Sequence, residues 1–190
     1  FHPKHVTEEL LRVLPTIRHL VPYVDIPLQH ISDRMLKAMG RKLGKAETLE
    51  VMRKIRSAWP GVAVRSTFIV GFPGETEADY QELREFIETY RFDRLGVFVY
   101  SPEPGTPAVK ITEGLVPREI AQARADALME LQNGIALENN RQLVGQTLEV
   151  LVEGRSTKKG SFVGRSRRDA PEIDNLVHFR NGHRPPPQGF

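Results

Sequence analysis

The sequence predicts an α/β fold, a parallel sheet covered by helices, followed by a small antiparallel β module. Three observations lead there. Helical patterns alternate with short, nearly unbroken apolar runs over residues 1–145, as strands buried on both faces require. From about residue 146 the pattern becomes a clean apolar–polar alternation broken by polar turns. The 190 residues, 39% of them hydrophobic and 27% charged, are enough to bury a real core. Two units are therefore expected, 1–145 and 146–190.

The elements follow in order. Thr7 caps a short amphipathic helix bearing Leu10, Leu11 and Leu14, with Glu8 and Glu9 in its first turn, and Pro15 interrupts it. Residues 23–28 read as a buried strand ended by Pro27. Ser32 caps a helix holding Met35, Leu36 and Met39 and closed by Gly40. A further helix over 46–58, with Leu49, Met52, Ile55 and Arg56 at helical spacing, stops at Pro60-Gly61. Residues 62–70 form the clearest strand and run into Gly71-Phe72-Pro73-Gly74-Glu75. Thr76 and Asp79 then make a capping box for a helix carrying Tyr80, Leu83, Phe86, Ile87 and Tyr90 on one face. Residues 95–100 are another strand. Pro117 suits the first position of a long helix that uses Ile120, Leu128, Leu131 and Ile135 and finishes near Gly145. In the second unit, strands are expected over 147–152, 161–163 and 176–179.

Composition excludes several function classes. No stretch approaches the roughly 20 apolar residues of a membrane span, and no signal-peptide pattern opens the chain. A cytoplasmic protein with no membrane partner is expected. There is no cysteine, which removes disulfides, thiolate metal sites, a cysteine nucleophile and any iron–sulfur cluster held in the usual way. The six histidines lack HExxH spacing, so no metal site is expected, and no residue is singled out as catalytic. The chain opens on Phe1-His2-Pro3-Lys4 and closes on a proline-rich stretch, so both ends read as boundaries inside something longer.

Charge is uneven. Residues 1–150 carry 19 basic and 20 acidic groups, whereas 151–190 carry 8 and 4. A small basic module after a neutral domain fits contact with nucleic acid or a ribonucleoprotein, and equally a solvated sheet face.

Ligands of parallel α/β proteins gather at the C-terminal ends of the strands. Three such ends are visible, at 27–32, 69–76 and 98–107. The glycines of the second let backbone approach a ligand, although no Walker or dinucleotide pattern is present. His30 reads either as an acid–base or ligand group or as a histidine that orients its loop. Arg65, inside an apolar strand, is either ion-paired or directed at an anionic ligand group.

The strings YVDIPLQHISDRMLKAMGR (23–41), STFIVGFPGETEADY (66–80) and FDRLGVFVYSPEPGTPA (92–108) resemble the radical S-adenosylmethionine methylthiotransferases. GRSRRDAPEID (164–174) resembles the start of their TRAM domain. PLQHIS and DAPEID are similar to the ribosomal-protein (RimO-type) branch, whereas Asn175-Leu176-Val177-His178-Phe179 is nearer the transfer-RNA (MiaB-type) branch. The resemblance implies the second half of a partial TIM-type barrel followed by an incomplete TRAM domain. It also implies S-adenosylmethionine and two four-iron four-sulfur clusters in the full-length protein, none of them bound by this cysteine-free stretch. The substrate it implies is an aspartate β-carbon of small-subunit ribosomal protein twelve. By position it places Gln29, His30, Gly71, Pro73, Gly74, Glu75, Phe98, Tyr100 and Ser101 around the cofactor. Charge adds Arg65 facing the S-adenosylmethionine carboxylate. Arg155, Lys158, Lys159, Arg165, Arg167 and Arg168 are assigned to docking of the ribosomal protein, the ribosome or RNA. The alternatives are a transfer-RNA methylthiotransferase and a cluster-free adaptor that docks on RNA or ribosome.

Overall fold

The structure, a computed structural model, describes residues 2–158 and 160–180. Two three-stranded sheets organise it. The first is parallel, in the order β1 (Tyr23–Asp25), β2 (Ala63–Val70) and β3 (Arg94–Val99). Helix α1 (Glu8–Val13) precedes its strands, α2 (Asp33–Ala38), α3 (Lys45–Ala58) and α4 (Glu77–Tyr90) link them, and α5 (Arg118–Arg141) follows β3. The second sheet is antiparallel, in the order β4 (Val150–Arg155), β5 (Ser161–Ser166) and β6 (Val177–Arg180). Among the described residues no helix is long and apolar enough to cross a membrane.

β2 sets the two faces of the parallel sheet. Ser66, Phe68 and Val70 are fully buried beneath the helices, where Phe68 meets Phe86 and Phe92 edge to face. That aromatic cluster and Leu83, Ile87 and Leu128 make the core. Arg65, Thr67 and Ile69 alternate onto the opposite face. The parallel register sets them beside Arg94, Gly96 and Phe98.

Several expected boundaries shift for physical reasons. β1 ends at Asp25 because Pro27 has no N–H to donate. The seam persists without a regular ladder: the Ser66 hydroxyl donates to the Ile26 carbonyl, and the Gln29 N–H donates to the Thr67 carbonyl. Pro117 is the N-cap of α5 rather than its first residue. The buried stripe of α5 is Ala121, Arg124, Ala125, Leu128, Gln132 and Ile135, which leaves Ile120 exposed, and Leu49 of α3 is exposed as well. β4 begins at Val150, three residues later than the alternation implies, and carries a bulge between Val152 and Gly154. Gly164 is required where β5 crosses β4, since a Cβ there would lie 2.2 Å from the Leu151 carbonyl oxygen.

The two sheets are joined at the N-terminal ends of the parallel strands. The loop after β5 brings Asp169 to Arg94 and Arg168 to Asp93. The Tyr23 hydroxyl donates to Asp174 at 2.6 Å, and Arg65 lies 3.8 Å from the same carboxylate. Asp93 also pairs with Arg56 at 2.9 Å and accepts the Val64 N–H at 3.0 Å. Burial and the bond to Asp174 push the Tyr23 phenol far above its ordinary value.

Removing one partner of a buried pair leaves an uncompensated charge. Asp169→Ala, which strands the nearly buried Arg94 guanidinium, should therefore cost about 3–5 kcal/mol of unfolding free energy in denaturant titrations. The isolated substitution of exposed Glu149, partner of exposed Arg167, should cost less than about 1 kcal/mol.

Candidate functional site

The C-terminal ends of β1, β2 and β3 bring together three loops, and the polar side chains there are held by one another. Gln29 sits at φ 72°, in the left-handed region that a non-glycine residue adopts only when its surroundings impose it. Its carbonyl accepts the Ile69 N–H at 2.8 Å, which ties the turn to β2. The next residue, His30, is completely buried. Its Nδ1 accepts the Ser32 N–H at 3.0 Å, so the ring proton lies on Nε2, which donates to Glu75 Oε1 at 3.3 Å.

Glu75 is a buried carboxylate with every oxygen engaged. Its Oε2 accepts the Gly71 N–H at 2.8 Å and an Arg124 N–H at 2.6 Å. Arg124 reaches on to Glu77 at 2.9 Å and lies over the Tyr80 ring at 5.2 Å. Burial works against the guanidinium charge, but the two carboxylates prevail and raise its pKa. Gly71 must be glycine twice over: its φ is +74°, and a Cβ would stand 2.4 Å from the Ala121 Cβ. α5 thus presses on the glycine loop with Ala121 and grips it with Arg124.

A second carboxylate ties the first two loops together. Asp79, the N3 residue of the α4 capping box, receives the Thr76 N–H at 2.8 Å, the Ser32 hydroxyl at 2.6 Å and the Arg34 guanidinium. Ser32 therefore occupies the N-cap position of α2 while giving its hydroxyl to α4. Burial opposes the charge of Asp79, yet the bonds from Ser32, Thr76 and Arg34 outweigh it and hold the carboxyl far below its ordinary range. The Gly74 N–H closes the loop from outside on the Gly114 carbonyl, at 2.6 Å.

Not every polar side chain at these strand ends is so engaged. Gln29 Oε1 and the Tyr100 hydroxyl are buried without a hydrogen-bond partner among the described residues. The Tyr100 ring packs edge to face on Phe72, 4.9 Å between centroids. Phe98, beside Ile69, is 59% exposed, and Ser101 is exposed beyond it. Pro73 is buried and Gly74 half-buried in the loop wall. No group of three or more His, Asp or Glu among the described residues is arranged to hold a metal ion.

The structure brings Gln29, His30, Gly71, Pro73, Gly74, Glu75, Phe98, Tyr100 and Ser101 to one end of the sheet, but not in equal roles. His30 and Glu75 spend their polar atoms on the protein itself and shape the loops rather than face a ligand. Arg65 is corrected outright. It lies near the start of β2, paired with Asp25 at 3.1 Å and facing Asp174, so it belongs to the junction with the second sheet. Six residues separate it from Gly71, roughly 20 Å of strand.

The basic cluster also divides. Arg168 is committed to Asp93 at the junction, and Arg165 and Arg167 pair with Glu153 and Glu149. Arg155 and Lys158 are exposed, with no ion pair among the described residues. Lys159 lies outside the described residues. Sequence reasoning missed Arg124, although its signal was present: it sits three residues after Ala121 and four before Leu128, a charge on an apolar stripe.

Residues 2–87 match the family model described as "Radical SAM superfamily", and residues 144–189 match the TRAM domain. The ribosomal protein uS12 methylthiotransferase RimO of Pelotomaculum thermopropionicum is 45% identical over 190 residues, 100% of this chain and 43% of that protein. The proteins of the same name from Lachnoclostridium phytofermentans and Heliobacterium modesticaldum are each 43% identical, over 93% and 96% of this chain and 40% and 39% of their own lengths. The chain thus spans less than half the length of these relatives. Among solved structures, coproporphyrinogen III oxidase (HemN) from Escherichia coli, a radical SAM enzyme, superposes with a TM-score of 0.57 at 12% identity. It covers 87% of this chain and 45% of that one, a likeness of fold.

A carboxyl held below its ordinary value stabilises the fold above that value, and the contribution is lost as pH falls through its native one. For Asp79 the ordinary value is 3.8. Acid titration of stability below about pH 4 should therefore be steeper in the unsubstituted protein than in Asp79→Asn, with the largest difference between them near neutrality. Parallel curves from two-probe unfolding would remove the linkage.

Proposed function

Because the chain belongs to the radical S-adenosylmethionine methylthiotransferase family, we propose that it is part of an enzyme that methylthiolates the β-carbon of an aspartate in ribosomal protein uS12. One observation carries the reading: 45% identity that runs over all 190 residues to a protein named for that activity. In this reading residues 1–145 are the second half of the barrel and receive S-adenosylmethionine. Residues 146–190 are the TRAM unit and capture the substrate, in the cytoplasm.

The strand ends suit S-adenosylmethionine. Gln29 Oε1 and the Tyr100 hydroxyl are buried polar atoms awaiting partners, which the amino and hydroxyl groups of a nucleoside supply. Phe98 offers an apolar face beside them, Gly71, Pro73 and Gly74 form the loop wall, and Ser101 stands at the rim. When bound, S-adenosylmethionine supplies hydrogen abstraction and the methyl group, while these residues bind, orient and exclude water. An iron–sulfur cluster is different. Its usual ligands are thiolates and this chain has no cysteine, so the residues present do not fit it and its ligands must come from elsewhere in the protein.

Substrate capture is assigned to Arg155 and Lys158, exposed cations of the second unit with no carboxylate partner among the described residues, whereas Arg165 and Arg167 are paired with Glu153 and Glu149. Such contact is long-range and salt-sensitive.

The test uses the full-length protein, offered uS12, ribosomes or transfer RNA in parallel with S-adenosylmethionine and reductant. Mass spectrometry should find a methylthio group on an aspartate of uS12; modification of transfer RNA alone would move the protein to the other branch, and none at all would leave the adaptor reading. Arg155→Ala with Lys158→Ala should raise the KM for the macromolecular substrate by about 10-fold, with kcat unchanged and a weaker salt dependence. Arg168→Ala should instead lower thermal stability, since it releases Asp93.

A further inference from the structure

Arg124 lies outside all three strand-end loops, yet it controls the charge on which two of them close. Glu75 is entirely buried, side chain included, and a carboxylate there needs a cation as well as hydrogen bonds. His30 does not provide the cation. Its Nδ1 already accepts the Ser32 N–H, so the ring is the neutral tautomer and gives Glu75 only a hydrogen bond. The Gly71 N–H gives only another. Among the described residues the balancing charge comes from Arg124 alone, at 2.6 Å.

Glu75 then serves both loops. Oε1 holds His30, whose backbone neighbour Gln29 is kept at φ 72° with an unpartnered Oε1, and Oε2 holds the Gly71 N–H at the end of β2. Three residues earlier on α5, Ala121 fills the space that a side chain at residue 71 would need. Arg124 is itself oriented by Glu77 and the Tyr80 ring, so the guanidinium is fixed in two directions before it meets Glu75.

We propose that Arg124 is a positioning residue for S-adenosylmethionine: through Glu75 and His30 it sets the loops at 29–32 and 71–75 in the arrangement that receives the nucleoside. The assignment rests on the functional reading above. Without the arginine the Glu75 carboxylate loses its counter-charge. Its hold on one of its two loops is then lost. Lysine restores the charge as a point, but not the two directed N–H groups shared between Glu75 and Glu77.

The experiment compares Arg124→Lys and Arg124→Met with the unsubstituted full-length protein, and with Gln122→Ala, an exposed change on the same helix. Hydrogen exchange is read at 29–32, 71–75 and along α5, S-adenosylmethionine affinity by equilibrium dialysis, and stability by thermal unfolding. Arg124→Met should weaken S-adenosylmethionine binding by about 10-fold and Arg124→Lys by about 3-fold, while Gln122→Ala leaves it unchanged. Exchange should quicken at 71–75 and also at 29–32, which Arg124 does not touch.

A purely structural role would loosen α5 and leave 29–32 and the affinity of the folded protein as they were; that result overturns the proposal. Should Arg124→Met fail to fold, Arg124→Lys decides by the same two readings. If the unsubstituted protein does not retain S-adenosylmethionine, the functional reading itself has failed and the assignment falls with it.

Discussion

A carboxylate removed from water must find its counter-charge and hydrogen bonds within reach, and the rest of the surroundings must be built to supply them. Glu75 imposes that constraint here. It stands in the loop after the buried strand β2 with its side chain wholly buried, and three separate parts of the chain converge on it. The glycine loop gives an N–H, the turn after β1 gives an imidazole, and α5 gives a guanidinium. Each contributor is in turn positioned by something else: Gly71 by the Ala121 contact, His30 by the Ser32 N–H, Arg124 by Glu77 and Tyr80. The close fit of α5 on the sheet and the left-handed turn at Gln29 follow from satisfying this one group.

The opposite end of the sheet solves a related problem with different chemistry. There the charges are numerous rather than single, and both sheets contribute. Asp93 is shared by Arg56 of α3 and Arg168 of the second unit, while Asp174 takes Tyr23 and faces Arg65. Because the partners come from both units, the junction forms only when both are folded. This arrangement explains why Arg65 and Arg168 are unavailable for the roles their charge invites. A guanidinium in a strand next to an acidic loop is neutralised by that loop before any ligand arrives.

Much of this was legible in the sequence wherever the cause is local. The Thr76–Asp79 capping box, the long apolar run of β2, the Thr7 cap and the change of pattern near 146 each depend on neighbours a few residues away, and each appears in the structure. The failures are long-range. Nothing near Arg65 announces Asp174, more than a hundred residues on, and nothing near Glu75 announces Arg124 except a charge on an apolar stripe. Ser32 shows the intermediate case: its position as N-cap was readable, but its hydroxyl goes to Asp79, because a buried carboxylate on α4 is the stronger acceptor. Nine of the ten residues expected at the cofactor gathered at one end of the sheet because topology put three strand ends side by side, while Arg65 lies at the other end. Which of them face outward depended on pairings the sequence does not print.

The two ends of the parallel sheet therefore carry different loads. Gln29, Phe98 and Tyr100 stand at one end with unspent polar atoms and open apolar surface, while the second sheet is latched to the other. Roughly 20 Å of β2 lies between them. In the proposed reading capture falls to Arg155 and Lys158 and positioning to the strand-end loops, separate charges on separate units. Stiffness along β2 and β3 is what relates them. Those strands are hydrogen-bonded from Arg65–Arg94 to Val70–Val99, which begins at the latch and ends at the glycine loop. The register that fixes the core also fixes the distance between the latch and the strand-end loops.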